Sequence, residues 1–264
     1  MRFKLKINVG KKNYGNALPI SYMYEQSAVI YRILSLGDEE YTNWLHENGY
    51  NIGSKKFKLF NYSPFLIPSY RVVDDRLFVL SDQMEWYITF LPERSTETFI
   101  RGVFSDRVFQ IGDKKSKVQC KVLNVEALPS PTYSSQMTFE TLSPICLTRL
   151  EANGKTTYIS PGDPSAKDIM LYSLTEKYRI IKGVPFSGDL SSCAFELLNT
   201  PKPKLATFKI GTPMETRVKG YHCKFKISLP KELMEIMYES GVGSKGSQGF
   251  GMVRVCNKTI NRNE

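Results

Sequence analysis

The sequence predicts an α+β fold built from two tandem ferredoxin-like domains, each a βαββαβ unit. Three observations carry this. The N-terminal residues alternate apolar and polar as a half-buried strand does. The order strand, helix, strand, strand, helix, strand can be read twice along the chain. Between the two readings lies Pro129-Ser130-Pro131-Thr132, a stretch suited to a linker. The expected domains are therefore residues 1–128 and 133–264.

The elements follow in order. From Arg2 to Val9, Phe3, Leu5, Ile7 and Val9 share one face, and Arg2, Lys4, Lys6 and Asn8 the other. A helix is expected over 20–36. Asp38 can N-cap a second helix, Glu39 to about His46, that ends before Gly49. Lys56 to Tyr62 alternates as a strand and Arg71 to Leu80 forms another. A helix over Ser95 to Phe104 and a strand over Val118 to Val125 complete the first unit. In the second, Thr138 to Arg149 reads as a strand and Pro164 to Ile181 as a helix. Leu205 to Gly211 and Arg217 to Ser228 read as paired strands. A helix from Lys231 and a strand over Gly249 to Cys256 close the chain, and Leu150 to Ser160 could add a hairpin. The halves share no sequence repeat, so the duplication is one of pattern.

Composition narrows the partners. The chain has 264 residues and a formal charge of +10, which suits a polyanion such as nucleic acid or marks a merely basic soluble protein. Its 15 Tyr and 15 Phe could stack on bases, although most should be core. The five cysteines are odd in number and widely spaced, which argues against a disulfide framework and for a reducing compartment. With two histidines, a protein-built zinc site is not expected, and no cofactor is. No run of about 18 apolar residues and no signal-peptide core is present, so the expectation is a soluble, cytoplasmic protein without a membrane span.

The densest motif is Gly241-Val-Gly-Ser-Lys-Gly-Ser-Gln-Gly-Phe-Gly251, with five glycines. Gly241, Gly243 and Gly246 satisfy G-x-G-x-x-G, but a dinucleotide site needs a strand before the glycines and a helix after them. Here a helix enters and a strand leaves. Lys245 is followed by Gly rather than Ser or Thr, so the loop is not of Walker type either. It reads as a loop that contacts the phosphates of a polymer through Gly241, Gly243, Ser244, Lys245, Gly246, Gly249 and Gly251. His222 and Lys224 lie on a basic strand face that suits RNA contact or solvent.

His46 is the most suggestive titratable group. It lies near a helix C-terminus, where the macrodipole suits a proton-bearing imidazole. Lys55, Lys56 and Lys58 follow at the start of a strand. This pattern reads either as an acid with a phosphate clamp or as a surface histidine beside a solvated charge run. Tyr31, inside the first helix, has no special status from composition.

Several segments together resemble a known family. They are Trp44-Leu-His-Glu47, Phe57-Lys-Leu-Phe-Asn-Tyr-Ser63, Phe139-Glu-Thr-Leu-Ser-Pro-Ile145 and the glycine-rich loop, in this order across almost the whole chain. They resemble the CRISPR-associated endoribonucleases that process repeat RNA, within the repeat-associated mysterious protein superfamily. The resemblance implies tandem ferredoxin-like domains and a metal-independent cut within the repeat of a precursor transcript. It places the family's catalytic histidine on His46, its helix tyrosine on Tyr31 and its lysine on Lys58. The stretch between His46 and Lys58 is longer than the family pattern, so Lys55 and Lys56 compete for the lysine role. The implied partners are CRISPR repeat RNA and, for the product, an effector complex, with the protein a monomer or a homodimer. The alternative is a non-catalytic RNA-binding subunit of such a complex.

Overall fold

The structure is a computed structural model that describes residues 1–53 and 55–256. Its first half is organised by strand β1 (Arg2–Gly10), whose Phe3, Leu5, Ile7 and Val9 are all buried. Helices α1 (Met23–Gly37) and α2 (Glu39–Glu47) follow, then short strands β2 (Lys55–Phe57) and β3 (Phe60–Tyr62). Strand β4 (Gln83–Phe90), helix α3 (Glu93–Ser105) and strands β5 (Val108–Gly112) and β6 (Lys117–Leu128) complete the unit. The sheet order is β3-β4-β1-β6-β5, with every neighbouring pair antiparallel. This is the ferredoxin-like order with β5 added at one edge. Helices α1 and α3 cover the apolar face of β1 through Ile30, Ile33, Phe99 and Val103.

The second half repeats the plan. Strand β7 (Gln136–Thr141) precedes a hairpin of β8 (Leu147–Leu150) and β9 (Thr156–Ile159), then helix α4 (Ala166–Lys182). Strands β10 (Ala194–Leu197), β11 (Lys202–Phe208), β12 (Thr216–His222) and β13 (Lys224–Ser228) lead to helix α5 (Lys231–Ser240) and strand β14 (Val253–Val255). The sheet order β10-β13-β7-β14 is again antiparallel and ferredoxin-like. Its core gathers Phe139, Met170, Leu174, Phe225, Leu233 and Met237.

Several expected strands are interrupted. The run Lys56 to Tyr62 breaks at Leu59, whose φ of 55° turns the chain between β2 and β3. Arg71 to Leu80 is instead a hairpin, Tyr70–Val73 against Arg76–Val79, turned at Asp74 with φ 50°. The expected strand Thr138 to Arg149 ends at Thr141, and its tail becomes β8, so the extra hairpin forms but starts earlier than Leu150. Arg217 to Ser228 likewise divides: β12 pairs with β11, and β13 enters the main sheet. Strands β4, β5 and β10 were not anticipated. A period of two is blind to where the backbone leaves a ladder, and it fails where a short strand is buried on both faces, as Phe60–Tyr62 is, or exposed on both, as Tyr70–Val73 is.

The halves meet through buried polar contacts. Arg2 is 2% exposed. Its guanidinium donates to the Val253 carbonyl at 2.7 Å and the Tyr238 carbonyl at 2.6 Å, and lies 3.7 Å over the Tyr238 ring. Thr89 donates to the Glu239 carboxylate at 2.8 Å, and Asn61 Nδ2 donates to the Phe250 carbonyl at 2.8 Å. No helix among the described residues is long and apolar enough to cross a membrane.

Candidate functional site

Helix α2 sets the geometry of the site. Asp38 begins it by accepting the Tyr41 N–H at 2.9 Å, and that bond, with Arg94, holds the carboxyl below its usual range. The helix is short, so its last turn presents His46, exposed, at the end where carbonyls are left without partners. Two lysines further along, Lys56 of β2 and Lys58 just after it, take up those carbonyls. Lys58 Nζ donates to the carbonyls of Leu45 and of His46, the latter at 2.7 Å, and Lys56 Nζ donates to the Glu47 carbonyl at 2.9 Å. Partial burial, with repulsion from Lys56, pushes the Lys58 ammonium below its ordinary value.

Gly49 makes this approach feasible. Its φ is 64°, and a Cβ there would stand 2.7 Å from the Phe57 carbonyl oxygen and 3.1 Å from Lys58 Nζ. Tyr31 arrives from α1, half-buried. Its ring meets that of His46 edge-on, with centroids 5.0 Å apart, and that of Phe60 at 5.6 Å. Burial, and to a lesser degree Tyr41, raises the Tyr31 hydroxyl above its ordinary value, so it keeps its proton at neutral pH. Tyr31, His46 and Lys58, carried by three successive segments, thus occupy one corner of the first half.

A cleft of about 500 Å³ opens beside this corner, between the two halves. The first half supplies Lys55 to Phe60; the second supplies Thr148, Tyr172, Ser173, Lys177 and the glycine-rich loop from Gly243 to Gln248. Among the described residues, five lysines line it (55, 56, 58, 177 and 245) and no Asp or Glu does, a lining suited to a polyanion. Lys55 Nζ sits 4.0 Å from the centre of the Tyr172 ring, so that cation already bridges the halves.

The loop glycines divide by role. A Cβ on Gly241 would stand 1.9 Å from Asn61 Nδ2, on Gly243 2.4 Å from the Cys146 carbonyl oxygen, and on Gly251 2.1 Å from that of Val242. Gly249 lies against the ring of Tyr62, where a Cβ would come within 2.7 Å. Gly241, Gly249 and Gly251 therefore serve close packing of the loop against both halves. The stretch Ser244 to Gln248, with Lys245 at φ 62°, faces the cleft. Ser27 anchors it by donating to the Ser247 carbonyl at 2.9 Å.

His222 and Lys224 are not among the residues lining the cleft. His222 Nδ1 shares a hydrogen bond with the Thr141 hydroxyl at 3.1 Å, and burial, aided by Lys204, depresses its pKa. Lys224 is exposed, on the strand that leaves His222. Among the described residues, no group of three or more His, Cys, Asp and Glu is placed to hold a metal ion. Sequence reasoning missed Gly49, Asn61, Tyr172 and Lys177. For Lys177 a signal existed: it continues the buried stripe Ala166, Met170, Leu174 of α4, where an apolar residue is expected.

Comparison with known proteins gives a consistent result. The family model for the Cas6 N-terminal region matches residues 17–121, and that for the Cas6 C-terminal region matches residues 128–255. A CRISPR-associated endoribonuclease Cas6 of Pyrococcus furiosus is 26% identical, over 100% of this chain and 94% of that protein. A second endoribonuclease of the same name, from Methanocaldococcus jannaschii, is 25% identical over 96% and 92%. The solved structure of a Cas6-related gene product of Pyrococcus furiosus superposes with a TM-score of 0.81 at 23% identity, covering 98% of this chain and 99% of the other. That likeness establishes the fold.

Proposed function

Because the chain belongs to the Cas6 family, we propose that it is an endoribonuclease that cuts CRISPR precursor transcripts within the repeat, without a metal ion. The observation that carries this reading is the meeting of Tyr31, His46 and Lys58 beside an inter-half cleft lined, among the described residues, by lysines and no carboxylate. RNA brings its own nucleophile, the 2′-OH next to the scissile phosphate. The 2′ oxygen bonds to phosphorus, its proton passes to water, and the bond to the 5′ oxygen breaks. His46, exposed at the helix end, donates a proton to the departing 5′ oxygen. Tyr31, held protonated by burial, orients the 2′-OH by hydrogen bonding rather than removing its proton. Lys58 brings positive charge next to His46 and stabilises the charge that develops on the phosphorane. The products carry a 2′,3′-cyclic phosphate and a 5′-OH.

One observation favours a second reading, a non-catalytic subunit that holds the RNA. The Lys58 ammonium is already engaged by two helix-end carbonyls, as a purely structural lysine would be. Incubating the protein with a repeat RNA in excess EDTA separates the two. Under the first reading the wild type cuts, His46→Ala binds without cutting, and a 2′-deoxy nucleotide before the scissile phosphate blocks the reaction. Binding without cutting by the wild type would establish the second reading, and cutting only when a metal is supplied would reject the mechanism.

A further inference from the structure

One cation of the cleft is buried, has no place in the mechanism and, among the described residues, no carboxylate partner. Lys177 occupies a core position of α4, in line with Ala166, Met170 and Leu174, and is only 5% exposed. Its Nζ donates to the Gly241 carbonyl at 2.7 Å, where α5 passes into the glycine-rich loop. Burial pushes its ammonium down to about 7. Among the described residues no carboxylate lies within ion-pair distance of it, and Glu239 at the end of α5 is engaged by Thr89 and by the Met1 ammonium, at 3.1 Å from the latter. A buried cation with one carbonyl acceptor and no counter-ion is unfavourable, and an unbranched apolar side chain would suit the stripe better. Its position at the floor of the cleft, behind Lys55, Lys56, Lys58 and Lys245, gives the cation a use.

We propose that Lys177 is an RNA-binding residue, a fixed cation at the floor of the inter-half cleft that takes a phosphodiester of the bound RNA as its counter-ion. The inference rests on the reading of the cleft as the RNA site. The lysines at the rim lose side-chain freedom when they meet a phosphate, whereas Lys177 is already immobilised by packing and by the Gly241 carbonyl. Its low-dielectric surroundings also screen its charge less than water screens the rim. The apo protein bears the desolvation of the charge, and RNA relieves it.

The test uses the full chain and a repeat RNA made uncleavable by a 2′-deoxy nucleotide. Lys177→Gln keeps a donor for the Gly241 carbonyl and removes the charge; Lys177→Met removes both. Each is expected to melt at or above the wild-type temperature and to bind RNA roughly tenfold more weakly. Each should also show a log Kd against log salt slope shallower by about 0.7, the value for one phosphate contact on a single strand. If either variant fails to fold, the other is measured; failure of both would make Lys177 a structural residue and overturn the proposal. Folded variants with wild-type affinity and slope would overturn it as well. Failure of the wild type itself to bind would instead strike the reading of the cleft.

Discussion

Leu59 decides how the corner that holds Tyr31, His46 and Lys58 is assembled. Its positive φ lets Lys58 turn toward the end of α2 while Phe60 enters the core and supports Tyr31. Lys58 therefore meets His46 through the backbone, by holding its carbonyl at the end of the helix. Lys58→Ala is expected to slow cleavage by about 100-fold or more, the scale of losing a preorganised charge, and to speed amide exchange over 45–49. A change in exchange alone, with cleavage intact, would leave Lys58 a helix cap. Lys177 carries its own signature in stability. Its folded-state pKa is about 7, below the ordinary value of 10.5, so between those values the unfolded chain binds a proton that the folded chain does not. Stability contributed through this residue then rises with pH across that window, and the penalty is fully present below it. Lys177→Met should be more stable than wild type at pH 6, with the advantage shrinking by pH 10. Urea titrations at the two pH values read this directly.

The helices of the first half are held together by two glycines. A Cβ on Gly102 of α3 would lie 1.7 Å from the Ile33 carbonyl oxygen, and one on Gly37 of α1 would lie 2.1 Å from that of Thr98. The backbones of α1 and α3 touch there, which sets the position of α1 and with it Tyr31. Gly102→Ala is expected to destabilise by about 1–3 kcal/mol, as overpacking does, and to lower cleavage more than RNA binding, because Tyr31 shifts while the cleft lysines stay. Equal losses in both would detach α1 packing from the site. The same reasoning explains what was legible in the elements. Helix α2 and its Asp38 cap could be read because capping is local, as could the alternation of β1. The breaks at Leu59 and Asp74 could not. A leucine and an aspartate at positive φ are held by their surroundings, and neither carries the glycine that usually announces such a turn.

At the scale of the whole molecule, the cleft exists because the two halves are docked, and Arg2 is central to that docking. Its guanidinium reaches two carbonyls of the second half and stacks on Tyr238 from the first strand of the chain. Arg2→Ala leaves those buried carbonyls without their donor and is expected to cost about 2 kcal/mol or more. RNA affinity should fall with it, since Lys55 of the first half and Lys245 of the second line the cleft at the same junction. A variant with unchanged stability and affinity would show that the other contacts suffice. The sequence by itself determined the α+β pattern read twice, the basic balance and, through its motifs, the family; Tyr31, His46 and Lys58 it offered only as candidates, with Lys55 and Lys56 competing for the lysine role. Those properties reside in local periodicity, composition and short motifs, which each segment carries alone. Only the tertiary structure decided that Lys58 closes the helix bearing His46, and that His222 and Lys224 lie away from the cleft. It alone assigned Gly241, Gly249 and Gly251 to close packing and revealed Lys177 at the cleft floor. These facts depend on contacts between residues distant in sequence, and on positive backbone angles that neighbouring residues do not specify.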